Sequence, residues 1–322
     1  MDRLKKFETY NIEKVIKDNF VKLMPTFYEM ESTFLSGLYK RYGDLEGGNI
    51  VIYFARDLHL EILRKRENDL DFDLSLDFFW RNHKNIRQGK KKIISVSKET
   101  GLPKETARRK IISLIRKKHL KKEDKSRLFW EPSSEHKETY IKIIGEQINS
   151  LSKFILEQTK LLNTVIPLAK IEKEIKKNYS FYWYHYLSVQ LQYIKFWHQK
   201  LNDLEMLLIG LQTIIQTINY INRKSDGTNS IISRFQKGQD IKEANISATS
   251  VSEVTGIPRA TCIRKLEKFV KMKVLDKDLK TKRYYLKINQ STLNPMLDFE
   301  LQKDKISILS DFSSIMMKGL FR

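Results

Sequence analysis

Apolar residues recur at helical spacing over most of this chain. Leu4, Phe7, Val15, Ile16, Phe20, Leu23, Phe27, Phe34, Leu35, Leu38 and Tyr42 predict a helix over residues 2–42, kinked at Pro25. The glycine-rich run Gly43 to Asn49 predicts a break, after which Val51, Phe54, Leu58 and Ile62 resume a helix over 50–66. Acidic residues 68–77 read as a loop, with Ser75 capping a turn that carries Leu76, Phe78, Phe79 and Trp80. A basic connector, 82–92, follows. Tyr140, Ile144, Ile148, Leu151, Ile155 and Leu162 share one face of a long helix over 134–163, and Pro167 marks a hinge before a charged helix at 170–177. Residues 225–229 are a turn cluster. Asn294-Pro295 opens a terminal helix with Leu301, Ile306, Leu309, Phe312, Ile315 and Met316.

A second pattern lies over the first. Residues 94–130 return as 251–285: without a gap, Val96 falls on Val251, Gly101 on Gly256, Pro103 on Pro258, Thr106 on Thr261, Arg109 on Arg264, Leu120 on Leu275 and Phe129 on Tyr284. Each copy predicts a short helix stopped by a glycine that can take positive φ, then a proline at the start of a longer helix. Ala107, Ile111, Leu114 and Ile115 form the buried face of that helix in the first copy, and Cys262, Leu266, Phe269 and Val270 in the second. The outward face carries Glu105, Arg109 and Arg116, edged by Thr106 and Arg108, or Ala260, Arg264 and Lys271, edged by Arg259, Thr261 and Lys268. Basic tips, Lys121 to Arg127 and Asp276 to Arg283, predict a two-stranded tongue after each helix. Asn178-Tyr179 aligns with Asn19-Phe20, and Asp203-Leu204-Glu205 with Asp44-Leu45-Glu46. Ile231 to Phe235 matches the Trp80 region. This outer register differs by four from that of the motif, so a loop in the second copy is shorter by about that much. The chain therefore divides into units 1–163 and 164–322.

These motifs resemble winged helix-turn-helix DNA-binding domains, in which a T-G-[LI]-P-x-x-T-x-x-[RK] turn and helix precede a basic wing. The order of helices around each motif resembles the MarR-type regulators, here as two units fused into one chain. The wing is shorter than in that family and lacks its D-x-R tip. The resemblance implies a mainly α fold with small β-wings, whose second motif helices enter the major groove of double-stranded DNA while the wings touch the backbone. Lys104, Glu105, Thr106, Arg108, Arg109 and Arg116, with Lys122, Lys125 and Arg127 of the wing, are the candidate contacts of the first motif. Arg259, Ala260, Thr261, Arg264, Lys268, Lys271, Lys280, Lys282 and Arg283 are those of the second. Arg109 and Arg264 are the candidate guanine readers. The implied function is transcriptional regulation. A plasmid- or phage-type replication initiator, or a scaffold that uses the motifs to bind protein, is the alternative.

Composition supports a nucleic-acid partner. There are 60 Lys and Arg against 39 Asp and Glu, a net charge of +21, which favours a polyanionic partner. A single cysteine excludes an intrachain disulfide and points to a reducing cytoplasm, and its position opposite Ala107 marks it as core. The amino terminus lacks the apolar stretch of a secretion signal, and residues 204–221, interrupted by Glu205, Gln212, Gln216 and Asn219, read as a buried helix. Six scattered histidines show no metal-ligand spacing, no glycine-rich loop carries the Lys-Ser/Thr that phosphate binding needs, and no nucleophile elbow is present, so neither cofactor nor enzyme chemistry is expected. The aromatic run Tyr179, Phe181, Tyr182, Trp183, Tyr184 and Tyr186, continued by Tyr193, Phe196 and Trp197, is expected to be mostly core or interface. A pocket for a small aromatic effector is the second reading.

Overall fold

The computed structural model describes residues 2–123, 127–132, 135, 137–224, 242–287 and 303–321. It is mainly helical, with two small antiparallel sheets. After a first turn, α1 (Asp2–Lys5), helix α2 (Thr9–Asp18) ends at Asn19, whose non-helical backbone separates it from α3 (Phe20–Tyr42). The single helix expected over 2–42 is thus divided at Asn19, and α3 runs on through Pro25. The same junction recurs 159 positions later, where Asn178 separates α9 (Leu168–Lys177) from α10 (Tyr179–Leu201). Both long helices stop on a left-handed residue, Gly43 with φ 66° and Asn202 with φ 50°. Asp44 then accepts a bond from the backbone of Glu46 at 3.2 Å to start α4 (Leu45–Asn68), and Asp203 accepts one from Met206 at 3.2 Å to start α11 (Leu204–Lys224). Hence the break expected over 43–49 shrinks to Gly43 and Asp44. Gly47 and Gly48 are helical, and Gly48 lies so close to Leu38 and Tyr42 that a side chain there would crowd both.

Ser75 caps α5 (Leu76–Asn82) through Phe78, as expected. The first motif follows as α6 (Ile93–Thr100), α7 (Lys104–Arg116) and a hairpin of β1 (Lys121–Glu123) and β2 (Arg127–Phe129), with Lys121 opposite Phe129. The long helix α8 (Lys137–Leu161) closes the first half. In the second half the counterparts are α12 (Ala248–Thr255), α13 (Arg259–Lys271), β3 (Leu275–Lys277), β4 (Tyr284–Leu286) and α14 (Lys303–Leu320). The turn cluster at 225–229, the match at Ile231 to Phe235 and the helix start at Asn294-Pro295 lie outside the described residues.

The four-residue slip has a definite place. Short 3-10 turns at His83–Asn85 and Lys242–Ala244 keep the outer register, whereas α6 and α12 have the inner one, so the extra residues are in 86–92. They supply Gln88, whose side-chain amide donates to the Trp130 carbonyl at 2.6 Å and accepts from the Trp130 N–H at 3.1 Å. In the second half, backbone does that work: Ile246 and Tyr284 exchange two bonds of 2.8 and 2.9 Å. A side chain in one copy replaces a strand in the other.

The halves interleave. Helix α10 lies along α4 of the first half, α3 packs on α11 of the second, and α14 covers α2. At the centre Gln190 donates to Glu31 at 2.9 Å, both buried, and these residues are also 159 positions apart. Phe27 meets Tyr193 edge-on, and Phe34 meets Tyr186 in the same way. Advancing either pair by that interval exchanges it for the other, which defines a pseudo-two-fold axis through Glu31 and Gln190.

His59 is fully buried on α4, stacked on Phe79 and edge-on to Tyr179, with neither ring nitrogen bonded. Burial lowers its pKa from 6.5 to about 3. The unfolded chain therefore binds a proton that the fold does not between these values, and stability falls as pH drops below about 6.5. His59→Phe is expected to remove this loss and to raise stability at pH 7 by about 1 kcal/mol, since two orphaned polar atoms disappear. Urea melts of both proteins at pH 7 and 5 check it; parallel losses would show that His59 does not carry the pH dependence.

Candidate nucleic-acid interface

Each motif is held by one hydrogen-bond pattern used twice. Gly101, with φ 74°, donates to Ser97, Ser97 Oγ donates to the Leu102 carbonyl at 2.7 Å, and Thr100 Oγ1 donates to Val96 and accepts from Leu102. Gly256, Ser252, Ile257, Thr255 and Val251 repeat these bonds, with Ser252 to Ile257 at 2.7 Å. Positive φ is needed at both glycines, and the turns also pass close to neighbouring chain. A side chain at Gly101 would meet Lys195 of α10, and one at Gly256 would meet Lys40 and Tyr39 of α3. Each turn thus rests on the long helix of the opposite half.

Ala107, Ile111 and Leu114 are buried under α7, and Cys262, Leu266 and Phe269 under α13. Cys262 is core, as expected. Lys104, Glu105, Arg108, Arg109 and Arg116 are exposed on α7, as are Arg259, Ala260, Arg264, Lys268 and Lys271 on α13, while Thr106 and Thr261 are half-buried. Among the described residues no hydrogen bond or ion pair engages the side chains of Arg109, Arg116, Arg264, Lys268 or Lys271. Glu105 is different. It grips Arg108 with bonds of 2.8 and 3.1 Å, and this partner holds its carboxyl below the usual range. Its oxygens are occupied within the helix. Arg259 donates to Thr249 at 3.0 Å.

In the first hairpin Lys122 is exposed, but Arg127 is half-buried, bonded to the Gln88 carbonyl at 3.2 Å and to Glu123 at 2.6 Å, so it ties the hairpin to the connector. Lys125 lies outside the described residues. In the second hairpin Asp278 accepts from the backbone of Lys280 and Thr281, both at 2.8 Å, and shapes a tip that exposes Lys280, Lys282 and Arg283. Arg283 also reaches Asn245 at 3.2 Å.

Two residues outside the expected site set its orientation. Lys110 bonds Asp44 at 2.6 Å and Glu46 at 3.0 Å, and Lys265 bonds Asp203 at 2.5 Å and Glu205 at 3.0 Å. Each lysine belongs to the outward helix and each Asp-x-Glu opens the helix beneath. Both copies carry Arg-Lys in α7 and α13 and Asp-Leu-Glu in α4 and α11, so the pairing was visible as a repeated motif. His198 of α10 stands 3.7 Å from Glu46, and with Lys110 it holds that carboxyl down at about 2. In the matching place stands Tyr39 of α3, whose phenol is raised first by burial and then by the nearby charge of Glu205.

Among the described residues no cluster of His, Cys, Asp and Glu could hold a metal. Helix α11 is long and apolar enough by composition to cross a membrane, yet most of it is buried within the fold. In the aromatic run Tyr179, Tyr182, Trp183 and Tyr186 are core, whereas Tyr193, Phe196 and Trp197 line a cavity. No protein-family model matches the chain, and no match was found among curated proteins or solved structures.

The two clamps differ in burial: the Lys265 side chain is 9% exposed and that of Lys110 is 23%. Removing either lysine leaves two carboxylates facing each other. Lys265→Ala is expected to cost roughly 2–3 kcal/mol and Lys110→Ala about 1 kcal/mol, as the wetter site is better screened. Denaturant midpoints of the two variants check this order, and equal losses would overturn the role given to burial.

Proposed function

We propose that this chain binds double-stranded DNA with two winged helix-turn-helix motifs and acts as a transcriptional regulator in the cytoplasm, at the nucleoid. One observation carries the reading. Two outward helices with exposed, unpaired Arg side chains are seated by the same Lys to Asp-x-Glu clamp on either side of one pseudo-dyad. The motif order resembles a fused pair of MarR-type units, and the fused pair would serve as its own dimer. Arg109 and Arg264, one turn into each helix, can each place a planar guanidinium against guanine in a major groove. Arg116, Lys268, Lys271, Lys122, Lys280 and Lys282 would neutralise phosphates. Glu105, held by Arg108, would shape that arginine more than read a cytosine. Because Ala260 takes its place in α13, the two half-sites would form an imperfect palindrome.

Affinity for a selected duplex is expected to fall on the order of 10³-fold between about 50 and 200 mM salt, given six to ten phosphate contacts. Fluorescence anisotropy measures this, and a flat response would overturn the proposal. Arg109→Ala and Arg264→Ala should each cost roughly 1–3 kcal/mol and relax base preference at one half-site, whereas Lys122→Ala or Lys282→Ala should weaken all sequences alike. Uniform loss from the arginine variants would make them phosphate contacts. Footprinting is expected to show two protected patches about 34 Å apart, or a multiple of that, at one protein per duplex. A single patch, or two chains per site, would mean that one motif no longer reads DNA.

A further inference from the structure

The pseudo-dyad relates two cavities of very different size. Between α10, α11, α13, the β3–β4 hairpin and α14 lies one of about 820 Å³. Its counterpart between α3, α4, α8 and the end of β2 holds about 40 Å³. One exchange explains the difference. Gly37 of α3 lets α8 come so close that a side chain there would collide with Ile143 and crowd Gln147. The corresponding residue of α10 is Phe196, which cannot allow α14 that approach and instead lines the open space. Val51 of α4 fills the first cavity where α11 has Gly210, and Arg41 closes it further by stacking on Tyr140 at 4.1 Å.

Among the described residues, the open cavity has a mostly apolar, aromatic wall with one carboxylate, Glu31, which is 1% exposed. Its Oε1 takes the amide of Gln190, but Oε2 is buried with no hydrogen-bond partner. Once ionised, that oxygen is a buried acceptor left unmet, which is costly and is best satisfied by a donor that brings positive charge. Tyr193, Phe196 and Trp197 are rings of the kind that favour a cation beside them. Lys195, the cation in the wall, packs its stem against Gly101 of the first turn.

We propose that this cavity binds a small amphiphilic amine, with its apolar body among the rings and its ammonium group on Glu31. The volume is that of a ligand site rather than of a packing fault, and the wall is shared with the DNA-facing helix. Phe269 and Met272 of α13, and Leu275 and Leu286 of the hairpin, line it, so an occupant repositions the second motif against α10. That consequence rests on the proposed DNA binding; the ligand site itself does not. Burial holds Glu31 protonated up to about pH 8, so binding of an ammonium near pH 7 releases its proton to solvent.

The test is calorimetric titration of the full chain, without DNA, with 4-phenylbutylamine, 4-phenylbutanol and 4-phenylbutyrate at about pH 7. The amine is expected to bind roughly tenfold or more tightly than the alcohol, and the acid undetectably. Repeating the titration in buffers of different ionisation enthalpy should reveal proton release with the amine alone. Glu31→Gln, which keeps the shape and leaves a neutral amide opposite Gln190, should abolish both the preference and the proton release while alcohol binding stays. Ile214→Trp, which narrows the cavity, should weaken binding of the amine and of the alcohol alike with thermal unfolding retained. Equal affinity for amine and alcohol, a preference that survives Glu31→Gln, or no binding of any of the three would overturn the proposal, the last by showing that the chain itself fills the space. Adding the amine to a protein and DNA mixture separates the two readings: ligand binding without any DNA complex would sink only the DNA proposal.

Discussion

The structure depends on the exchange of helices across the pseudo-dyad, where α3 and α10 touch through the Glu31–Gln190 bond and two edge-on ring pairs. These two helices are not the lids of separate cores. Each packs against the helix that follows the partner, α10 on α4 and α3 on α11, and each then supports the opposite half's turn at Gly101 or Gly256. The first half does not bury its apolar surface alone, because the large rings of α10, such as Tyr179 and Trp183, complete its core. Interleaving of this kind leaves little freedom in the distance between α7 and α13. The spacing of the two outward helices is then a property of the core rather than of a linker.

Orientation is set by the clamps. Successive helical residues are separated by about 100°, so a lysine fixed on the inner side fixes where its neighbour points. Lys110 is drawn inward onto Asp44 and Glu46, and Arg109 is consequently exposed; Lys265 and Arg264 repeat the relation. Taking an ammonium and two carboxylates partly out of water is expensive, and apolar residues of similar volume would stabilise the fold as well. Charge has a different use here. An apolar contact tolerates sliding by part of a turn, whereas a lysine bridging two carboxylates at a helix start permits one rotation of α7 or α13.

Much of this was legible in the chain. The glycine stops, the Pro starts, the buried stripe of each motif and the four-residue slip followed from two registers, and helix boundaries followed where a single residue decides them, as at Gly101 or Ser75. Two kinds of feature were not. Gly47 and Gly48 read as breakers because local propensity disfavours them in helices, yet they lie in α4, where α3 passes close enough to crowd a side chain at Gly48. The exchange of Gly37 for Phe196, which opens one cavity and closes the other, was a mismatch in the alignment without apparent meaning until the helix facing it was known. Long-range contact decides such positions, and no periodicity records it. The candidate site was legible as a list of exposed basic residues, but not that Arg127 ties a hairpin to Gln88 or that Glu105 is engaged by Arg108.

Fusion of the halves explains what stands on the axis. In a symmetric dimer of two identical chains, a residue on the dyad meets itself. Two glutamates there would face each other in a water-poor core and repel, and two glutamines would offer no ionisable group. A single chain carrying both halves escapes this constraint, so Glu31 can stand opposite Gln190, taking its amide through one oxygen and leaving the other without a partner. The same freedom lets Gly37 and Phe196 diverge, with one half closely packed and the other open beside α13. A covalent pair can thus pack one side of the axis closely and leave a cavity on the other, which a homodimer would have to repeat on both sides.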